Sequence, residues 1–238
     1  MIFLQNVGDF LSTPFSARTP FSVGRWLLIS AILTLTASFA FPQILSANPV
    51  PHIMVYGDSL SAAYGIDPKD GWVSLLREKM RHEGVIVTNS SISGETTRGG
   101  VNRIKADLDR FKPNVVVIVL GANDGLRGLP VEETKKNLQS IINAARAAHA
   151  KVVLIGIQIP PNYGIEFTRQ FRELYFDLAK SNRLPPPPFL LEGIAENLKW
   201  FQQDRLHPTA AAQPAILVNV FPVIQKVLAL RATKVSAR

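Results

Sequence analysis

The sequence predicts an α/β domain in which helices cover both faces of a doubly wound parallel β-sheet, so that the fold has three layers. The first observation is an alternation along the chain, in which apolar runs of strand length are followed by longer segments with apolar residues at helical spacing. The second is that the apolar runs are nearly continuous, which is typical of strands buried on both faces. The resulting order is βαβαβαβαβα, without internal repeats, and each step predicts a right-handed crossover.

Five apolar runs are expected to form the strands of this sheet. The fifth run follows four consecutive prolines at 185–188. Proline has no backbone N–H to donate, so this run suits the edge of the sheet better than its centre. The predicted strands span residues 53–56, 85–89, 115–120, 152–159 and 189–191.

Five segments of helical periodicity are expected to cover the sheet. The last of them is the hardest to delimit, because Pro214 and Pro222 must start, kink or break it. The predicted helices span about residues 72–82, 97–111, 131–148, 167–182 and 209–231.

Residues 1–47 have the order of a secretory signal peptide. Arg18 and Arg25 precede an uncharged apolar run at 26–41, and small residues follow that run up to Ala47. Basic, apolar and small-residue regions in this order direct export, and the run is shorter than the roughly 20 residues that a membrane-spanning helix needs. We therefore expect cleavage after Ala47, with Ala40 as the second choice, and a periplasmic or secreted protein.

The remaining residues, 48–238, are expected to form a single domain, because about 190 residues can bury one full hydrophobic core. An uncleaved membrane anchor is the alternative for the preceding segment, since the region before its apolar run is unusually long for a signal peptide. The chain has no cysteine, which excludes disulfides, thiolate metal sites and a cysteine nucleophile. We expect no metal and a monomeric protein.

The chain is basic, with 26 lysines and arginines against 18 acidic residues and a formal net charge of +8. A nucleic-acid-binding protein would concentrate such charge in one patch. Here the basic residues are scattered and interleaved with acids, as at 105–107 and 169–173, which indicates a solvated surface. We expect no nucleic-acid partner, and a weak attraction to anionic lipid headgroups stays open as a prediction.

Polar clusters follow the predicted strands, at 57–60, 93–96, 121–124 and 204–207. Ligands of open α/β sheets bind beyond the carboxyl ends of the strands, so these clusters mark the predicted site. Of the four histidines, only His207 follows a strand, whereas the other three lie at the opposite end of the sheet. His207 is therefore the candidate base.

An imidazole base needs a nucleophile and a carboxylate that orients the ring. Ser59 lies in the turn directly after the first strand and is the candidate nucleophile. Asp204 precedes His207 by three residues, and a turn between them would place the two side chains on the same side of the backbone. Asp124 is the competing carboxylate, whereas Asp58 immediately precedes the serine and points in another direction.

Three donors could stabilise an oxyanion beside this serine: the backbone N–H groups of Ser59 and Gly94 and the side-chain amide of Asn123. Gly94 has no side chain to block a ligand, and Asn123 follows the third strand. A phosphate-binding or receiver-type module would also use loops at this end, but it would prefer several acids or a glycine-rich run. The G-x-G-x-x-G pattern of dinucleotide-binding folds is missing after the first strand.

Four segments of the sequence, at 57–65, 91–96, 121–128 and 204–208, resemble the four blocks of the SGNH or GDSL hydrolases. The similarity is greatest to the bacterial periplasmic enzymes of the thioesterase, arylesterase and lysophospholipase type, and it covers nearly the whole of 48–238. This resemblance implies a flavodoxin-like sheet, no cofactor, and cleavage of acyl esters and thioesters through an acyl-enzyme. It also implies the residue roles already assigned from placement: Ser59 as nucleophile, Asp204 and His207 as its partners, and Ser59, Gly94 and Asn123 as oxyanion donors.

The loop after the fourth strand is apolar enough to cover an acyl chain, which favours lipid-like or aryl esters as small-molecule substrates. The candidate substrate-binding residues in it are Ile159, Tyr163, Ile165 and Phe167. Ordinary core packing is the alternative interpretation of this loop. Two other functions stay open, a carbohydrate acetylesterase on the same fold and a binding module without catalysis. The complete set of candidate catalytic residues argues against the second.

Overall fold

The computed structural model describes residues 50–235, and the predicted export segment at 1–47 lies outside this range. Four parallel strands form one sheet in the order β2-β1-β3-β4, and its central strands are fully buried by helices on both faces. The predicted α/β fold class is therefore confirmed. The strands are β1 (His52–Gly57), β2 (Ile86–Asn89), β3 (Val115–Val119) and β4 (Lys151–Leu154).

The predicted fifth strand is wrong as a strand, because it is reduced to a single parallel bridge between Gly156 and Phe189. Gly156 N–H donates to the carbonyl of Pro188, and Leu190 N–H donates back to the carbonyl of Gly156. The prolines at 185–188 have no N–H groups with which to extend this ladder. The sheet thus has four strands where five were predicted, with the bridge at its β4 edge.

The helices pack on the sheet in two groups, in agreement with the predicted layers. Helices α1 and α6 contact each other on one side, whereas α4 contacts both α2 and α5 on the other. The short helix α3, which directly follows β3, was not predicted because five residues are too few to show a period. The helices are α1 (Trp72–Arg81), α2 (Thr97–Phe111), α3 (Ala122–Leu126), α4 (Val131–Ala147), α5 (Ile165–Ser181) and α6 (Gln213–Val235).

Helix α6 continues through both prolines that made its bounds uncertain. Pro214 lies in its first turn, where a missing N–H costs nothing, and Pro222 lies inside it. Within residues 50–235, the segment Ala210–Ala229 is long and apolar enough to cross a membrane, by length and composition only. Its inner side, which includes Ile216 and Val220, is fully buried in the hydrophobic core.

Candidate active site

Ser59 lies in a tight turn immediately after β1. The carbonyl of Asp58 accepts from the N–H groups of Ser61 and Ala62, and the Asp58 carboxylate accepts from the N–H of Leu60 at 3.0 Å. Position 57 requires a glycine, because a Cβ atom there would lie only 2.9 Å from the Ser61 hydroxyl oxygen. The chain can therefore turn sharply at the end of the strand and present the Ser59 hydroxyl at its carboxyl end.

Ser59, His207 and Asp204 form one continuous line of hydrogen-bonding distances. The Nε2 atom of His207 lies 2.8 Å from the Oγ atom of Ser59, and its Nδ1 atom lies 2.7 Å from Oδ2 of Asp204. The other carboxylate oxygen of Asp204 accepts from the main-chain N–H groups of Leu206 and His207, at 2.9 and 3.0 Å. The three-residue offset thus closes as a turn, in which Arg205 adopts a left-handed backbone with φ of 58°.

The charge of Asp204 determines which tautomer of the His207 imidazole is favoured. Desolvation raises the pKa of this carboxyl, but hydrogen bonds from the main chain and imidazole of His207 and from the N–H of Leu206 outweigh it. Together they lower the pKa of Asp204 to about 2. An ionised carboxylate only accepts hydrogen bonds, so it selects the tautomer of the neutral imidazole in which Nδ1 carries the proton and the lone pair of Nε2 faces Ser59.

Tyr64 covers the imidazole, a contact that the sequence reasoning missed. Its ring centroid lies 4.4 Å from that of His207, and the main chain at Tyr64 is tied to the same region by Gln202, whose Nε2 donates to the Tyr64 carbonyl at 2.8 Å. An open cleft beside the histidine is lined by Tyr64, Gly65, Gln202, Gln203 and Asp204. The position of this aromatic residue within the segment 57–65 was the only sequence signal for the contact.

Gly94 lies in the loop after β2, and Asn123 lies in the short helix α3 that follows β3. Gly94 has a φ of 79°, and a Cβ atom at this position would meet nothing within 4 Å. Asn123 Nδ2 donates one of its two hydrogens to the carbonyl of Glu95 at 3.0 Å, which leaves the other available. Arg127 Nη2 donates to the carbonyl of Gly94 at 3.2 Å, so that two hydrogen bonds join the loop after β2 to α3 and to the residue that follows it.

Asp124, the competing carboxylate, is fully occupied elsewhere. Its oxygens accept from the N–H of Thr97 at 2.8 Å and from the Thr97 hydroxyl at 2.5 Å, at the start of α2. Burial raises the pKa of Asp124, and the hydrogen bonds from Thr97 oppose this shift. Asn137 donates to the same hydroxyl at 3.1 Å, which completes a buried network. Asp124 therefore holds α2 against the loop after β3 and makes no hydrogen bond to His207.

Asp58 is completely buried below the serine turn. One carboxylate oxygen accepts from Leu60, and the other has no hydrogen-bond partner. Burial raises the pKa of Asp58 to about 7, an effect that the Leu60 hydrogen bond opposes and the nearby Asp124 carboxylate increases. Neither carboxylate oxygen of Asp58 therefore makes a hydrogen bond to the imidazole.

The four candidate substrate-binding residues occupy different environments. Ile159 is buried in the core, directly below Gly125, and Phe167 is half-buried against Phe171, with ring centroids 5.8 Å apart. Ile165 is 86% exposed, and the exposed Tyr163 donates its hydroxyl to the carbonyl of Leu126 at 3.0 Å. Only Tyr163 and Ile165 therefore present substantial apolar surface to solvent.

No cluster of three or more histidine, cysteine or acidic side chains that could hold a metal ion occurs within residues 50–235. The chemistry available at the carboxyl ends of the strands is that of a hydroxyl, an imidazole, a carboxylate and amide donors. This combination on a parallel α/β sheet defines the class of serine hydrolases.

Comparison with known proteins places the chain more narrowly. Residues 55–214 match the GDSL-like lipase/acylhydrolase family. The esterase TesA of Pseudomonas aeruginosa is 42% identical over 198 residues, which cover 82% of this chain and 98% of TesA. Thioesterase 1/protease 1/lysophospholipase L1 of Escherichia coli is 38% identical over 195 residues, which cover 82% of this chain and 90% of that protein.

A solved structure extends the comparison to the fold. The psychrotrophic esterase EstA of Pseudoalteromonas sp., in a structure inhibited by monoethylphosphonate, is 39% identical with a TM-score of 0.71. The match covers 74% of this chain and 98% of EstA. The chain belongs to the GDSL-like lipase/acylhydrolase family and is an ester hydrolase.

Proposed function

We propose that Ser59 is the nucleophile of this hydrolase, that His207 is its general base and that Asp204 orients the imidazole. One observation carries the proposal, the line of 2.8 and 2.7 Å distances from the Ser59 hydroxyl through His207 to Asp204. The ionised Asp204 supports these roles, because it selects the tautomer of His207 in which Nε2 accepts a proton. The closed turn between Asp204 and His207 holds the pair before any substrate binds.

The reaction begins when the Ser59 oxygen attacks the acyl carbonyl carbon and its proton passes to Nε2 of His207. The carbonyl oxygen becomes an oxyanion, and the imidazolium is stabilised by Asp204. When the tetrahedral intermediate collapses, Nε2 returns the proton to the leaving oxygen or sulfur, and an acyl-enzyme on Ser59 remains. Water then repeats both steps and releases the acid and the free serine.

The oxyanion is proposed to accept hydrogen bonds from the N–H groups of Ser59 and Gly94 and from the side chain of Asn123. The open backbone at Gly94 and the free amide hydrogen of Asn123 support this assignment. Donors held in place before the reaction need no reorganisation when the charge develops. They therefore act on the transition state more than on the bound ester.

The proposed substrates are lipid-like acyl esters, including aryl esters, lysophospholipid-like esters and thioesters. Two exposed apolar side chains lie at the histidine, Tyr64 on the imidazole and Leu206 next to it in the chain, and Tyr163 and Ile165 are exposed between β4 and the start of α5. The names of the similar esterase and thioesterase/lysophospholipase support the same class. A carbohydrate acetylesterase would be expected to present polar rather than apolar groups at these positions.

We further propose that the enzyme is exported, with residues 1–47 as a cleaved signal peptide, and that it acts as a monomer in the periplasm or outside the cell. The basic, apolar and small-residue order of that segment supports export. A weak attraction to anionic membranes and the absence of a nucleic-acid partner follow from the scattered basic surface. Amino-terminal sequencing of the exported protein should begin at Asn48, whereas a mature protein that keeps Met1 would indicate an anchor.

The function is tested with p-nitrophenyl esters of graded chain length, assayed beside a thioester and a lysophospholipid. The parent should hydrolyse them, and Ser59→Ala should retain only the small rate that binding and oxyanion donors provide. Ser61→Ala is the matched control. Ser61 lies two residues after Ser59, and its hydroxyl is buried and has no hydrogen-bond partner. Parent activity in Ser59→Ala would contradict the nucleophile, and no turnover of any ester by the parent would favour a binding module.

A further inference from the structure

Arg103 on α2 forms a largely buried ion pair with Glu95, the residue that follows Gly94. Its Nε atom lies 2.6 Å from Oε2 of Glu95, and the two side chains are only 18% and 12% exposed. Its Nη1 atom contacts Oδ2 of Asp107 at 2.6 Å, and the guanidinium lies 4.0 Å from the ring centroid of Tyr56. A buried pair is weak evidence for stability, because desolvation offsets much of its attraction.

The main chain at Glu95 is connected to the proposed oxyanion site. The carbonyl of Glu95 accepts from Nδ2 of Asn123 at 3.0 Å and so directs that amide group. The Gly94 N–H group belongs to the residue that forms the peptide bond with Glu95, so it moves with that peptide group. The Gly94 N–H group and the Asn123 side-chain amide therefore both depend on where residues 94–95 are held.

Gly99 gives a second, independent observation on the same carboxylate. It lies in the first turn of α2, where alanine would favour the helix. A Cβ atom at Gly99 would overlap Oε1 of Glu95. The missing side chain thus leaves the space in which the Glu95 carboxylate meets Arg103.

We propose that Arg103 and Glu95 are positioning residues for the oxyanion site. Neither touches the ester or the reacting atoms. The pair fixes the 94–95 peptide group, and this fixes the Gly94 N–H and, through the Glu95 carbonyl, the Asn123 amide. The inference rests on the proposed function of Gly94 and Asn123 as oxyanion donors.

The test measures kcat and KM with a short-chain aryl ester, together with the thermal unfolding midpoint of each variant. Arg103→Gln and Glu95→Gln should each lower kcat by about 10- to 100-fold, because small displacements of catalytic groups are costly. KM should stay the same, since the oxyanion exists only in the transition state. Arg103→Lys should keep part of the activity, and Glu95→Gln combined with Arg103→Gln should be no worse than the more damaged single variant.

Lys105→Gln is the matched control, because it breaks an exposed ion pair with Asp109 on the same helix and should leave kcat unchanged. Glu95→Gln keeps the shape of the side chain, removes its charge and decides the question if Arg103→Gln fails to fold. A folded Arg103→Gln or Glu95→Gln enzyme with parent kcat would overturn the inference, as would a rise in KM that accounts for the whole loss.

Labelling by a phosphonate separates this inference from the proposed function. If the parent is labelled at Ser59 and the Arg103 and Glu95 variants keep full kcat, only the positioning role fails. If Ser59 is not labelled in the parent, the proposed site itself fails.

Discussion

The Nε2 atom of His207 lies 2.8 Å from the Oγ atom of Ser59, although the two residues are 148 positions apart in the chain. The end of β1 presents the serine, and the turn before α6 presents the histidine. Because each has its proposed role only in the presence of the other, the effects of replacing them should be coupled.

His207→Ala should therefore cost about as much activity as Ser59→Ala, and the double variant should be hardly worse than either one, because members of a catalytic unit are not additive. Steady-state kinetics on one aryl ester measure this directly. The exposed His82, at the end of α1, provides a control, since His82→Ala should leave kcat/KM unchanged. Multiplicative losses in the double variant would mean that the two residues act independently.

Asp204→Asn should lower kcat by up to about 10⁴-fold, somewhat less than His207→Ala, because the amide favours the wrong tautomer while the imidazole remains. The thermal midpoint should change little, since Asp204 lies in a surface turn. Asp124→Asn should show the reverse, with a lower thermal midpoint from the weakened bonds to Thr97 and a smaller loss of kcat. A larger loss of kcat at Asp124 than at Asp204 would require a different triad.

Asn123→Ala should lower kcat by roughly 10²- to 10³-fold and spare KM, because one oxyanion donor is lost. The exposed Asn143→Ala on α4 is the control and should behave as the parent. An increase in KM at unchanged kcat would assign Asn123 to substrate binding instead.

Asp58 should make stability depend on pH. The unfolded chain releases its proton near the ordinary pKa of 3.8, whereas the folded protein keeps it until pH reaches about 7. The unfolded state thus binds fewer protons between these values, and the free energy of unfolding falls as pH rises through this window. Asp58→Asn stays neutral, so urea unfolding at both ends of the window should show a shallower fall. Parallel pH profiles for the two proteins would exclude Asp58 as the source.

The fold could be predicted because buried parallel strands leave a plain signal, as in the run of five valine and isoleucine residues that forms β3. The order of elements then brings all loops that follow strands to one end of the sheet. The prediction of a fifth strand was wrong because strand pairing needs backbone N–H donors, which the prolines at 185–188 lack, and not only apolar residues. Apolar character alone also does not distinguish the buried Ile159 from the exposed Ile165.

The residues of the candidate site could be predicted from the sequence, but the contacts between them could not. Whether Asp204 or Asp124 faces His207 depends on a turn with Arg205 at positive φ and on a hydrogen bond to Thr97, and neither has a sequence pattern. The ion pair of Glu95 and Arg103 was not found either, because charged residues eight positions apart are usually solvated. Long-range contacts of this kind require the folded chain.

The most direct measurement is mass spectrometry of the protein after reaction with an aryl phosphonate, which traps the activated serine as a covalent adduct. We expect a single adduct on the peptide that contains Ser59, assigned to that residue by fragmentation. We also expect no adduct in Ser59→Ala and a strongly slowed reaction in His207→Ala. An adduct on Ser61 or another serine, or labelling of His207→Ala at the parent rate, would show that His207 does not activate Ser59.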